Sequence, residues 1–473
     1  MRFESKNSLI FILFFGLFSV AFSEVIGLEQ VIKEVSTKSD SVKMMRETVN
    51  RSKYTIKEKR AAALPTVSTQ IFTGRSFGVG LGASGGGGAG GMLSETDPTP
   101  ASRGDLNQII NNQIAAQRKM SEANSAPAYS ASIEISQPIY TFGKIGTAVK
   151  VANYYGQSNQ LAYERGVQEM QLLGLDAFYR VVLSDMALSI TERTMERKKE
   201  LSEFLTRNFQ LGAGSKAEIL ATSADLESLY PEIIKAQQDV KTAKMQLCVL
   251  MGRPLTDLIS IDTTSTIPSL IAFELPNRDS AVKTALENRS DLHSIEYLKK
   301  ANDGGVKIFK SMYLPSIAGQ LSMGAASNDI AKIYKENARN WKVGIGLTWT
   351  MFDGFANSST AQQYLSDSRK LNTAQKSLAK FIEIEVEAAL TECIAADSNL
   401  SASYKIFAAV QEAYELTDEN FKQGSGQFAE LQLAEERLRQ GEMGIMNARY
   451  RQMRSRAALL VTMGCPIINT EEK

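Results

Sequence analysis

Two glutamates stand at corresponding places in a stretch that the chain writes twice. Asn208–Glu218 reads NFQLGAGSKAE and Asn420–Glu430 reads NFKQGSGQFAE, with Asn, Phe, both glycines, Ala and Glu in register at an offset of 212 residues. A carboxylate at a helix start has two chemistries open to it. It satisfies backbone N–H groups, or it presents negative charge to solvent and passing ions. Ser215-Lys-Ala-Glu218 fits the first as a capping box, in which Ser and Glu satisfy helix-end donors reciprocally. Glu430 has Gln427 three residues before it, not Ser or Thr, so capping accounts for it less well.

Other reactive side chains are few. His293, the single histidine, follows Ser290-Asp-Leu292 in a helix-like stretch and is simplest as a surface or packing residue. Cys248, Cys393 and Cys465 contain no Cys-x-x-Cys pair, so neither a disulfide framework nor a zinc site is implied. Cys248 and Cys465 both stand where a returning arm ends, which leaves a bridge open beside the reading as small buried side chains. There is no His-Glu-x-x-His and no Gly-x-x-x-x-Gly-Lys, and the run Gly85–Gly91 lacks the lysine of a phosphate cradle. No enzyme, metal or cofactor is expected.

The elements that hold the two glutamates come from the same duplication. The offset of 212 also carries Val249-Leu-Met251-Gly252-Arg-Pro254 onto Val461-Thr-Met463-Gly464-Cys-Pro466. Each Gly-x-Gly lies between two long apolar-periodic segments, and glycine lets one helix stop and the next start close by. Each copy is therefore the tip of a helical hairpin. The outgoing arms, Phe142–Leu211 and Gly354–Gln423, predict helices of about 70 residues, roughly 105 Å if straight. The first returning arm keeps a 3-4 spacing through Ile219, Thr222, Leu226, Leu229, Ile233, Ala236, Val240, Ala243, Leu247 and Leu250. Leu431, Ala434, Leu438, Gly441, Ile445, Ala448, Gln452, Ser455, Leu459 and Thr462 take those places in the second. Pro231 interrupts only the first arm, and charge runs such as Arg193–Glu200 read as solvated helix faces.

Residues 28–63 and 278–313 are helix-like and stop at Leu64-Pro65 and Leu314-Pro315, now 250 residues apart. After each Leu-Pro the period becomes alternating. Trp341, Val343, Ile345, Leu347, Trp349 and Met351 give one strand; Tyr129, Ala131, Ile133, Ile135 and Ile139 a second. Ile317, Leu321 and Met323 give a third, and Val67 with Ile71 a fourth. Strands with one apolar and one polar face and aromatics at their ends suit a transmembrane barrel. Four strands cannot close one, and open edges in lipid leave backbone groups unpaired, so the barrel must be shared between chains. Gly78–Ser125 reads as a long outer loop, and residues 255–277 as a small linking element.

Arg2 and Lys6, the apolar run Leu9–Val20 and Ala21-Phe-Ser23 make residues 1–23 a signal peptide. The formal charge is +1, from 53 basic and 52 acidic residues, which implies no strong pull toward nucleic acid.

Taken together, residues 24 to 466 resemble the TolC-like outer-membrane export ducts, the outer membrane efflux proteins. The resemblance rests on the duplicated plan, both Leu-Pro passages, Gln137-Pro-Ile-Tyr140, Thr350-Met-Phe352-Asp-Gly354, and the tip motif of Phe209, Gly212, Glu218-Ile219 and Phe421, Gly424, Glu430-Leu431. It implies an α+β membrane protein. A β-barrel shared by three chains, four strands each, would continue into a long periplasmic α-helical coiled-coil barrel. It also implies a homotrimer in the outer membrane whose tips dock a periplasmic adaptor (membrane fusion protein) of an inner-membrane pump. The tip residues would be Phe209, Gly212, Gly214, Ser215, Phe421, Gly424, Gly426 and Gln427. Glu218 and Glu430 would line the periplasmic aperture, and Tyr129, Tyr140, Trp341, Trp349 and Phe352 would mark the membrane interfaces.

The expected organisation is a signal peptide (1–23), a first helix (24–63), a β-hairpin with its outer loop (64–141) and a helical hairpin (142–254). A linker (255–277) precedes the second copy, with its helix (278–313), β-hairpin (314–353), helical hairpin (354–466) and tail (467–473). The expected function is a passive conduit of a tripartite efflux or type I secretion system. The alternative is a trimeric coiled-coil structural or adhesive surface protein without a through channel.

Overall fold

The computed structural model describes residues 25–76, 126–212, 214–255 and 259–468. The expected signal peptide (1–23) and the whole of the Gly78–Ser125 loop lie outside the described residues. In chain order the elements are β1 (Val25–Ile26), α1 (Leu28–Lys38), α2 (Asp40–Ala61), β2 (Thr66–Ser76), β3 (Ala126–Tyr140), α3 (Lys144–Gln210) and α4 (Lys216–Met251). After β4 (Ser260–Ile261) and α5 (Pro268–Ile271) come α6 (Arg278–Asn288), α7 (Ser290–Ser311), β5 (Ser316–Ser327), β6 (Arg339–Thr348), α8 (Ala356–Lys422) and α9 (Phe428–Thr462). They fall into two units, one of Ser52–Tyr155 with Lys299–Lys370, the other of the remaining chain.

The first of these holds an antiparallel sheet in the order β2-β3-β5-β6. Register sorts its side chains cleanly, because a strand turns each successive residue to the opposite face. Val67, Ile135, Leu321 and Val343 form one row across all four strands, and Ile133, Met323 and Trp341 continue it. On the other face Ser68, Glu134, Ser322 and Lys342 form a row, next to Ser136, Gln320 and Gly344. No described layer covers the apolar face of β6: Trp341, Val343, Ile345 and Leu347 are all exposed. β2 and β6 are open edges.

Both strand-to-helix passages use two consecutive left-handed residues. Phe142 (φ 49°) precedes Gly143 (φ 79°), and Gly354 (φ 65°) precedes Phe355 (φ 68°), so the glycine has changed places between the copies.

The second unit is built on the two hairpins. Every position of both 3-4 stripes is buried or half-buried, as coiled-coil packing requires. Pro231 sits inside α4 without ending it. Leu175, Phe178, Val31, Ile32, Leu247, Met251 and Leu270 share one core, and Ile382, Val386, Ala281, Ala285 and Leu459 a second. Parallel pairing of β1 with β4 ties Val25 and Ile26 to the linker.

The single helices expected over 28–63 and 278–313 are each two helices. The breaks fall at Ser39 (φ −55°, ψ 142°) and Arg289 (φ −68°, ψ 114°), 250 residues apart and so equivalent. Neither residue is a helix breaker. The cause is tertiary, since the glycine that ends each returning arm sits against the broken turn. None of the three cysteines is in a disulfide, so the Cys248–Cys465 bridge does not form.

Candidate functional site

The first tip closes by short backbone bonds. Leu211 N–H donates to Arg207 O at 3.1 Å, and Gly212 N–H to Phe209 O at 3.0 Å. Gly212 (φ 81°) and Gly214 (φ 147°) then turn the chain through backbone space that side chains avoid. Ser215 is the N-cap of α4, and its Oγ accepts from Ala217 N–H at 3.2 Å. The cap therefore forms without Glu218, whose carboxylate has no hydrogen bond or ion pair among the described residues.

The second tip is tighter. Ser425 and Gly426 N–H both donate to Asn420 O at 3.0 Å, and a Cβ on Gly426 would meet Phe421 N at 2.8 Å. Gln427 is the N-cap of α9 but its side chain caps nothing, and the exposed Glu430 carboxylate is also without a partner among the described residues.

The two tips present different surfaces. Phe421 lies 6.1 Å from both the Phe204 and the Phe428 rings and is half-buried. Phe209 is 46% exposed and Leu211 82%. The sequence carries the cause, since Lys216 stands where the second copy has Phe428. Of these two equivalent phenylalanines, Phe209 is the more exposed.

Sequence reasoning missed a charged cluster just behind the tips. The Arg193–Glu200 run is not simply a solvated face. Lys198 is buried, and its Nζ meets Glu435 at 3.0 Å and Asp225 at 3.1 Å. Arg197 reaches Glu435 at 3.4 Å and lies over the Tyr414 ring at 5.7 Å. Gln432 donates to Asp225 at 3.0 Å. Burial, with Asp418 and Glu435 nearby, pushes the Tyr414 hydroxyl up to about 12. Glu435 on α9 lies 238 residues from Arg197 on α3, and Gln432 lies 207 from Asp225 on α4, beyond the reach of any local pattern.

The aromatics expected at membrane interfaces sort to two ends of the sheet. Tyr129 and Trp341 lie at the end where β3 and β6 begin; Tyr140, Trp349 and Phe352 lie where the helices begin. Tyr129 to Tyr140 spans about 36 Å of strand, or roughly 25 Å of height at the tilt of lipid-spanning barrels. Trp349 falls outside β6, where its Nε1 donates to Tyr313 O at 2.9 Å.

Among the described residues no group of His, Cys, Asp and Glu is placed to hold a metal, and no helix is long and apolar enough to cross a membrane. His293 Nε2 contacts Glu287 O at 2.8 Å. Gly82-Ala-Ser84-Gly-Gly86 has Gly-x-Ser-x-Gly spacing but lies outside the described residues.

A family model described as outer membrane efflux protein matches residues 31–253 and 281–465. Outer membrane protein TolC of Vibrio cholerae is 22% identical over 331 residues, which cover 68% of this chain and 73% of that protein. The CmeC outer membrane channel of Campylobacter jejuni has a TM-score of 0.72 at 14% identity, over 92% of this chain and 85% of that one. The MtrE outer membrane channel of Neisseria gonorrhoeae, in its open state, has a TM-score of 0.67 at 17% identity, over 94% and 91%. The fold class expected from the sequence is the fold of these channels.

Proposed function

The chain belongs to the outer membrane efflux protein family, and from that membership we propose that it is the outer-membrane channel of a tripartite efflux or type I secretion assembly. It acts as three copies, a passive conduit from a periplasmic adaptor and inner-membrane pump to the exterior. The family is one of channels, not enzymes.

The observation that carries this reading is the four-stranded sheet with two open edges, one apolar face and one polar face. Three such sheets joined edge to edge close a barrel of twelve strands. Lipid then meets the row of Val67, Ile135, Leu321 and Val343, and the bore meets Ser68, Glu134, Ser322 and Lys342. Tyr129 and Trp341 mark the outer interface; Tyr140, Trp349 and Phe352 mark the inner. The hairpins form the periplasmic tunnel. Its tip turns dock the adaptor, with Phe209 and Leu211 as the exposed contacts, and Glu218 and Glu430 line the aperture.

Native mass measurement in mild detergent, with single-channel recording in planar lipid, tests the reading. Three chains and a discrete conductance support it. A stable monomer, or a trimer that never conducts, leaves the adhesive-stalk alternative instead.

A further inference from the structure

Thr263–Thr266 and Ile271 of the linker, together with α3, α8 and α9, line a cavity of about 610 Å³. That is the volume of a site for a small organic molecule. Its apolar wall is Val182 and Met186 on α3, Leu400 on α8, and Met446 and Met453 on α9. Thioethers adapt to the outline of a flat ring and attract it.

Two donors on this wall are unused. Tyr179 is 7% exposed, yet its hydroxyl makes no hydrogen bond among the described residues. Its ring is held 5.6 Å from that of Phe178 and 5.4 Å from that of Tyr450. Burial pushes the hydroxyl up to about 12, with Arg449 opposing the rise, so it keeps its proton near neutral pH. Arg449 donates Nε to the Tyr404 hydroxyl at 2.9 Å and lies over that ring at 5.4 Å. Its other guanidinium N–H groups have no partner among the described residues. Asp185 also lines the cavity without a partner among them, so Arg449 and Asp185 do not satisfy each other.

Packing of the hairpins does not call for these residues. At the offset of 212, Tyr179, Met186, Arg449 and Met453 stand opposite Thr391, Ser398, Gln237 and Lys241. The other copy closes its hairpin without the ring, the thioethers or the guanidinium.

We propose that this cavity binds a small aromatic carboxylate, with its ring among Met186, Met446 and Met453 and its carboxylate held by Arg449 and the Tyr179 hydroxyl. Asp185 accepts from a ring hydroxyl and disfavours a second negative charge. A guanidinium and a buried hydroxyl together select an anion over a neutral molecule of the same shape. The site lies at the linker and does not depend on the channel reading.

Calorimetric titration of the detergent-solubilised protein with para-hydroxycinnamate tests the site, against a blank of the same micelles. Binding should saturate at one molecule per chain. The matching alcohol, para-hydroxycinnamyl alcohol, keeps the ring and its hydroxyl but lacks the acid, and should bind about tenfold more weakly. Arg449→Gln changes an exposed position and Tyr179→Phe keeps the buried ring, so both should melt close to the wild type. The first should weaken binding of the acid about tenfold and the second severalfold. Arg451→Gln, an exposed arginine of α9 outside the cavity, should leave affinity unchanged. Absence of saturable binding, or equal affinity for acid and alcohol, overturns the proposal. So does wild-type affinity in Arg449→Gln or Tyr179→Phe, or an equal loss in Arg451→Gln.

Discussion

A Cβ on Gly252 would stand 2.5 Å from the carbonyl oxygen of Lys38, and a Cβ on Gly464 would stand 2.9 Å from that of Asn288. The two contacts are equivalent under both repeat offsets, 212 for the glycines and 250 for their partners. Each glycine is also left-handed, at φ 67° and 76°. Gly252→Ala and Gly464→Ala should therefore each destabilise by about 2–4 kcal/mol, from backbone strain together with displacement of a neighbouring turn. Gly444, helical with nothing within 4 Å of its Cβ position, is the control. Gly444→Ala should be neutral or gain up to about 1 kcal/mol. Thermal unfolding followed by circular dichroism in detergent separates the three.

That pair of contacts also marks how far the sequence could be followed. Periodicity and the written-out repeat place the hairpins, the four strands and their two faces, because each depends on residues close in the chain. The breaks at Ser39 and Arg289 were not legible, since a returning arm more than 170 residues away imposes them. The lock of Lys198 with Glu435 was hidden for the same reason: a charged side chain on a helix looks alike whether it meets water or a partner. The unequal tips are an intermediate case. Lys216 against Phe428 is plain in the sequence, but its effect depends on Phe204 lying within reach of Phe421.

Glu34 on α1 accepts both Nε and Nη2 of Arg253 at 2.7 Å, and Lys38 adds a third bond at 3.2 Å. The Arg253 hydrogen bond is the main reason its carboxyl lies below the ordinary value of 4.5. A lowered carboxylate stabilises the fold fully above that ordinary value, and the contribution is lost as pH falls through the lower folded value. Melting temperature should thus decline once pH drops below about 4.5. Glu34→Gln, which removes the carboxylate charge that Arg253 and Lys38 meet, should cost about 3 kcal/mol at neutral pH and flatten that decline. An unchanged acid slope in the variant would place the acid sensitivity elsewhere.

Ile345 and Gly344 are neighbours on β6 that face opposite ways. Ile345 is 74% exposed on the apolar face, and Gly344 has open space on the polar one. A lysine facing lipid near the midplane costs about 2–4 kcal/mol per chain, and three chains would bear it together. Ile345→Lys should sharply reduce assembled trimer in the outer-membrane fraction, whereas Gly344→Lys should assemble and alter only conductance. Equal recovery of both variants would mean that the apolar face does not meet lipid.

Glu430 carries the last prediction. It lies in the first turn of α9 behind an N-cap that makes no side-chain bond, and it is exposed. Helix capping has no need of it, whereas Ser215 caps α4 at the other tip. In a three-fold channel its three copies would ring the aperture, where mutual repulsion is relieved by cations from solution. The wild-type channel should therefore prefer cations, and Glu430→Gln should shift the reversal potential in asymmetric salt toward the anion value. Glu218→Gln should shift it less, because Glu218 is more covered than Glu430. Should the Glu430→Gln potential stay where it was, the residue serves the turn alone and selectivity arises elsewhere along the bore.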